Sequence, residues 1–134
     1  MKITIVILLF AIFNPQHTQA QKFDKKTLTG SWLGKLEASA LPLRIIFNLS
    51  LTANDSLVAT LDSPDQGAKG IKLGRVTFDG KNLKIAAPTI LGEYNGSISN
   101  DTLITGNWKQ AGREMPLNLK KQMVEFALNR PQEP

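Results

Sequence analysis

The run "LPLRIIFNLSL" constrains the fold more than any other part of this sequence. It places Leu43, Ile45, Phe47, Leu49 and Leu51 on one face and Arg44, Asn48 and Ser50 on the other, with only Ile46 out of phase. Apolar residues at every second position describe a half-buried β-strand. A strand of this kind has to find neighbours for both its edges and a cover for its apolar face.

The same texture recurs at regular intervals. Trp32, Gly34 and Leu36 share a face before this run, and Leu57, Ala59 and Leu61 share one after it. Ile71 and Leu73 alternate up to Gly74, where the phase shifts to Val76 and Phe78, as at a β-bulge. Leu83, Ile85 and Ala87 follow, then Tyr94, Gly96 and Ile98, then Ile104, Gly106 and Trp108; Met115, Leu117 and Leu119 end the series. The connectors "TANDS", "FDGKN", "SNDT" and "QAGRE" have hairpin chemistry, with Asp79-Gly80 the strongest short turn. About eight strands joined by tight turns predict an all-β antiparallel up-and-down barrel, or a sandwich where the bulges are sharp. Closing the last strand onto the first removes both exposed edges.

The ends of the chain differ from this core. Lys2, the uncharged run "ITIVILLFAIF" and the small residues Thr18 and Ala20 predict a signal peptide over residues 1–20, cleaved before Gln21. The apolar run is shorter than the ~20 residues a membrane-spanning helix needs, so no stable membrane anchor is expected after cleavage. The protein is therefore expected to be exported, to the periplasm or beyond. Asp24 is placed to cap a short N-terminal helix or turn within "KFDKKTLTGSW". The β-barrel domain is expected over residues 21–122. Residues 123–134, "MVEFALNRPQEP", are expected to hold a helical turn and then a proline-broken linker.

Removing residues 1–20 from the 134 leaves 114, an ordinary size for one domain. It also removes the single histidine, His17, and the chain has no cysteine. The exported chain then has no imidazole or thiol for Ser-His-Asp or Cys-His catalysis, and no usual zinc ligand set. No cofactor and no metal are expected. Loss of Lys2 lowers the formal net charge from +5 to +4. The remaining cations are scattered and not interleaved with aromatics, so no nucleic-acid partner is expected. Paired carboxylates would be the remaining route to acid–base chemistry, and the pairs to consider are Asp62 with Asp65 and Glu93 with Glu114.

Three places carry the candidate binding residues. "GSWLG" and "GNW" hold Trp32 and Trp108 beside glycines, and the first resembles the Gly-x-Trp signature of lipocalin barrels. These tryptophans either fill the core or line a ligand space. The loop "SPDQG" sets Ser63, Asp65 and Gln66 around Pro64 and Gly67, which suits either a type I turn or a polar patch at a barrel mouth. Gln110 lies just beyond the second tryptophan. Ser63 lacks a Gly-x-Ser-x-Gly setting and a base, so it is not expected to act as a nucleophile.

Taken in order, "GSWLGKLEA", "LPLRIIFNLS", "LVATLDSPDQGAKGI", "VTFDGKNLKI", "YNGSIS" and "ITGNWKQAGREMPLNLKK" resemble the N-terminal accessory domain of secreted bacterial α/β-hydrolases of the serine aminopeptidase or esterase type. The resemblance spans about residues 28 to 121, and "LNRPQEP" resembles the opening of the linker to the hydrolase. It implies a non-catalytic module partnered by an α/β-hydrolase domain, encoded alone or as part of a longer protein. The Gly-x-Ser-x-Gly elbow, acid and histidine of that family have no counterpart here. The alternative is an exported lipocalin-like binder of a small apolar ligand.

Overall fold

Each alternating run pairs antiparallel with the next. The computed structural model describes residues 22–37 and 41–122; the signal peptide and the C-terminal segment read from the sequence lie outside them. A single helical turn, α1 (Lys25–Leu28), is followed by β1 (Gly30–Leu36), β2 (Leu43–Leu51), β3 (Leu57–Ser63), β4 (Ala68–Lys72) and β5 (Val76–Phe78). The second half contains β6 (Asn82–Ala87), β7 (Gly92–Asn100), β8 (Leu103–Gln110), β9 (Arg113–Pro116) and β10 (Leu119–Lys121). All ten strands belong to one antiparallel sheet, in the order β4-β3-β2-β1-β10-β8-β7-β6-β5 with β9 also on β8.

The two ends of that order are one stretch of chain. β4 pairs with β3 and β5 with β6. Between them the Leu73 amide donates to the Ala59 carbonyl (3.1 Å) and the Gly74 amide to the Ala86 carbonyl (2.7 Å). The sheet thus curls back on itself through a bent segment that leaves one neighbour for the other. The phase shift at Gly74 marks this change of partner. In the same way β9 and β10 are two halves of one strand, interrupted at Leu117-Asn118. The eight runs legible in the sequence become ten strands by these two breaks, and the architecture is the up-and-down barrel they predict.

Closure is made by β10 against β1, with Trp32 opposite Lys121 and Leu33 opposite Lys120. It covers only the first half of β1; β9 pairs with β8 and not with β1. One seam of the barrel is therefore laced at one end only.

That laced end is sealed. Asp24 caps α1 through the Lys26 amide (3.2 Å), as its position predicts. The Phe23 amide reaches the Gly80 carbonyl (2.8 Å) and Lys25 pairs with Asp55 (2.9 Å). These contacts tie the helical turn across the β2–β3 and β5–β6 turns. Leu28 enters the barrel beneath Trp32, whose indole N–H donates to the Leu28 carbonyl (2.8 Å). Phe47 and Tyr94, with ring centroids 5.4 Å apart, fill the middle. Tyr94 is fully buried, and its hydroxyl donates to the Leu117 carbonyl (2.9 Å) at the break between β9 and β10. Gly106 makes room for that ring: a Cβ there would meet the Tyr94 hydroxyl and the backbone of Asn95 and Gly96.

Candidate functional site at the open end of the barrel

Strand direction decides which loops meet. β3 and β6 run up to the opposite end from α1, and β4, β7 and β9 leave it. The β3–β4 turn (Pro64–Gln66), the β6–β7 turn (Pro88–Ile90) and the Ala111-Gly112 turn between β8 and β9 therefore share one rim. They surround a cavity of about 430 Å³ in the barrel mouth.

The walls follow from the alternation. Leu36, Ile45 and Leu61 point inward at the upper ends of β1, β2 and β3, and Leu43 and Ile71 add to the same side. Trp108 and Met115, directly opposite one another on β8 and β9, form the other side together with Ile90. Trp108 leans on Phe47 (centroids 6.1 Å apart), which in turn packs on Tyr94, so Trp108 is the aromatic surface that the cavity meets. Gly92 permits this pose, because a Cβ there would overlap the indole. Trp32, Phe47 and Tyr94 fill the sealed end and the middle of the barrel, while the mostly aliphatic side chains around Trp108 at the open end leave space.

Four of the six candidate residues meet in this mouth: Ser63, Gln66, Trp108 and Gln110. Ser63, the last inward residue of β3, is 1% exposed, and its hydroxyl donates to Gln66 Oε1 (2.9 Å). Gln110 is fixed at both ends. Its Oε1 accepts from Trp108 Nε1 (3.0 Å) and its Nε2 donates to the Ile90 carbonyl (2.7 Å), which ties β8 to the β6–β7 turn.

The other two lie elsewhere. Trp32 plugs the sealed end, with Lys121 Nζ 5.6 Å from its ring centroid. Asp65 accepts from the Arg44 backbone N–H (2.8 Å) and pairs with the Arg44 guanidinium (2.9 Å). The hydrogen bonds from the Arg44 side chain, and then that from its backbone, hold the Asp65 carboxyl below its ordinary value. The "SPDQG" stretch is thus a 3-10 turn begun by Pro64 and ended by Gly67 at φ 67°, clipped to β2 by Asp65. It presents Gln66 to the cavity.

The carboxylate pairs considered from sequence have separate partners. Asp62 accepts from the Gly70 amide (2.7 Å) and the Asn48 side chain (3.0 Å), whereas Asp65 is held by Arg44. Glu93 and Glu114 stand on either side of Lys109 in an outward row across β7, β8 and β9. Hydrogen bonding to Lys84 (2.9 Å) leads the effects that keep the Glu93 carboxyl below its usual range. Among the described residues no three His, Cys, Asp or Glu side chains gather as a metal cage.

Sequence reasoning passed over Arg113. It lies on the inward face of β9, opposite Gln110 and two residues from Met115, and it lines the mouth. Its place in "QAGRE" beside a turn concealed it, although the spacing Arg113, Met115 carries the signal. No protein-family model, curated protein or solved structure matches the chain, so the geometry of the mouth is what bears on its function.

Proposed function

We propose that the protein is a binding module that holds a small apolar ligand in the open end of its barrel. The observation that carries this reading is the cavity of about 430 Å³ lined by aliphatic side chains and the Trp108 indole. Its volume falls in the usual range for small-molecule sites, and a few fixed polar groups at the rim provide orientation. The apolar leader read from the sequence supports an exported protein. A thermal-shift screen of apolar ligands against the purified chain tests the proposal. A ligand at about a hundredfold excess over its Kd adds ~2.7 kcal/mol, which raises the Tm of a domain this size by on the order of 10 °C. Ile71→Trp, which fills the mouth, should abolish that shift while the variant stays folded. A screen that leaves the Tm unchanged at saturation removes the proposal.

A second reading has an observation of its own. Leu41 and Leu91, each 76% exposed, stand at the same end of the barrel as the cavity, and exposed apolar side chains grouped at a rim favour a docking surface. The partner implied by the resemblance is an α/β-hydrolase domain. Gel filtration of the chain with a hydrolase encoded beside it should give a complex that Leu91→Glu dissolves. Separate elution of the two wild-type proteins ends this reading.

A further inference from the structure

We propose that the ligand of the mouth is a single-chain amphiphile with a carboxylate head, its chain against Trp108 and the aliphatic walls and its head at Arg113 and Gln66. This rests on the ligand-binding reading above and specifies the chemistry that the rim selects.

The rim has spent its acceptors and kept its donors. Gln110 Oε1 is occupied by the Trp108 indole and Gln66 Oε1 by the Ser63 hydroxyl. Gln110 Nε2 is committed to the Ile90 carbonyl. What remains are the N–H groups of Gln66 Nε2 and the guanidinium of Arg113, which has no ion-pair partner among the described residues. Among the described residues no acidic side chain lines the cavity. The acids beside lining residues are diverted: Asp65 is bound to Arg44, Asp62 accepts from the Gly70 amide and the Asn48 side chain, Glu114 faces outward opposite Lys109, and Glu37 lines a separate pocket. An anionic head therefore finds side-chain donors and a guanidinium to pair with, whereas a cationic head meets a like charge and an alcohol, which can accept from the guanidinium, gains no ion pair.

The expected selectivity follows from exposure. Arg113 is an exposed side chain at a solvent-facing rim, so the carboxylate stays partly hydrated and its attraction is screened by salt. Exchanging a neutral acceptor for an ionised one at such a site gives about a tenfold preference rather than a thousandfold one.

Isothermal titration of the purified chain with dodecanoate, dodecanol and dodecyltrimethylammonium, each below its micelle concentration, tests the inference. Dodecanoate should bind about tenfold more tightly than dodecanol, and the cation more weakly than either. High salt should narrow the gap. Arg113→Gln should bring the dodecanoate-to-dodecanol ratio close to one, while Lys109→Gln, an outward cation on the neighbouring strand, should leave it unchanged. Equal binding of all three probes, or preference for the cation, overturns the carboxylate assignment and leaves the apolar cavity standing. A preference that survives Arg113→Gln overturns the placement of the head. Binding of none of them removes the cavity reading along with this one.

Discussion

Asp65 and Gln66 are adjacent in the chain and have opposite tasks. The 3-10 turn directs Asp65 to Arg44 on β2 and Gln66 toward the Ser63 hydroxyl in the mouth. The Asp65 carboxyl lies below its ordinary value in the folded state. Its contribution to stability is therefore present above the ordinary aspartate range and is lost as pH falls through the lowered folded value. Asp65→Asn should lower the Tm at neutral pH and flatten the acid limb of the Tm–pH curve, measured by circular dichroism. Deeper in, Gly106→Ala would drive a Cβ into the backbone of Asn95 and Gly96. It should destabilise by roughly 3 kcal/mol or more in urea denaturation, since backbone on a paired strand has little freedom to retreat. The residue types of the mouth were legible before the fold was: Ser63, Gln66, Trp108 and Gln110 are all candidates on sequence grounds. Their directions were not. A 3-10 turn rotates successive side chains by about a third of a circle, so a loop of five residues does not reveal which of them face inward.

The strands show where periodicity ends as a guide. It found the apolar faces from Trp32 to Leu119 because successive side chains of a paired strand alternate between the two faces of the sheet. It marked the break at Leu73-Arg75 only as a phase shift at Gly74, without showing the change of partner, and it could not find the break at Leu117-Asn118, because Met115, Leu117 and Leu119 keep their phase across it. The second break is pinned by Tyr94, whose hydroxyl donates to the Leu117 carbonyl. Tyr94→Phe leaves that carbonyl short of a donor inside the barrel and should cost about 1–2 kcal/mol by denaturant titration. Burial also raises the Tyr94 phenol well above its ordinary value of 10.0. The folded state then keeps a proton that the unfolded chain releases, and stability falls as pH rises above that ordinary value. An alkaline titration of the wild type against Tyr94→Phe should show less loss in the variant.

As a whole molecule, the barrel is a meander of neighbouring hairpins plus one long-range closure, β10 on β1. Every hairpin can form locally, but the closure must bring together residues some ninety positions apart in sequence, as Trp32 meets Lys121. Sheets that depend on such contacts fold in milliseconds to seconds. Leu119, fully buried on β10, belongs to the contact that forms when the ends meet. Leu119→Ala should raise the unfolding rate about thirtyfold or more and change the folding rate little in stopped-flow chevrons, if the transition state precedes closure. A variant that slows folding instead would put closure in the nucleus.

The two indoles occupy opposite poles, Trp32 under the helical turn and Trp108 beside the cavity. That gives the molecule a pair of intrinsic fluorophores with separate duties. In a Trp32→Phe background, emission comes from the rim alone and reports arrival of a guest. In a Trp108→Phe background, the surviving emitter is blind to occupancy and records only opening of the sealed pole. Comparing the two traces on one sample series would distinguish filling of the vessel from melting of its base.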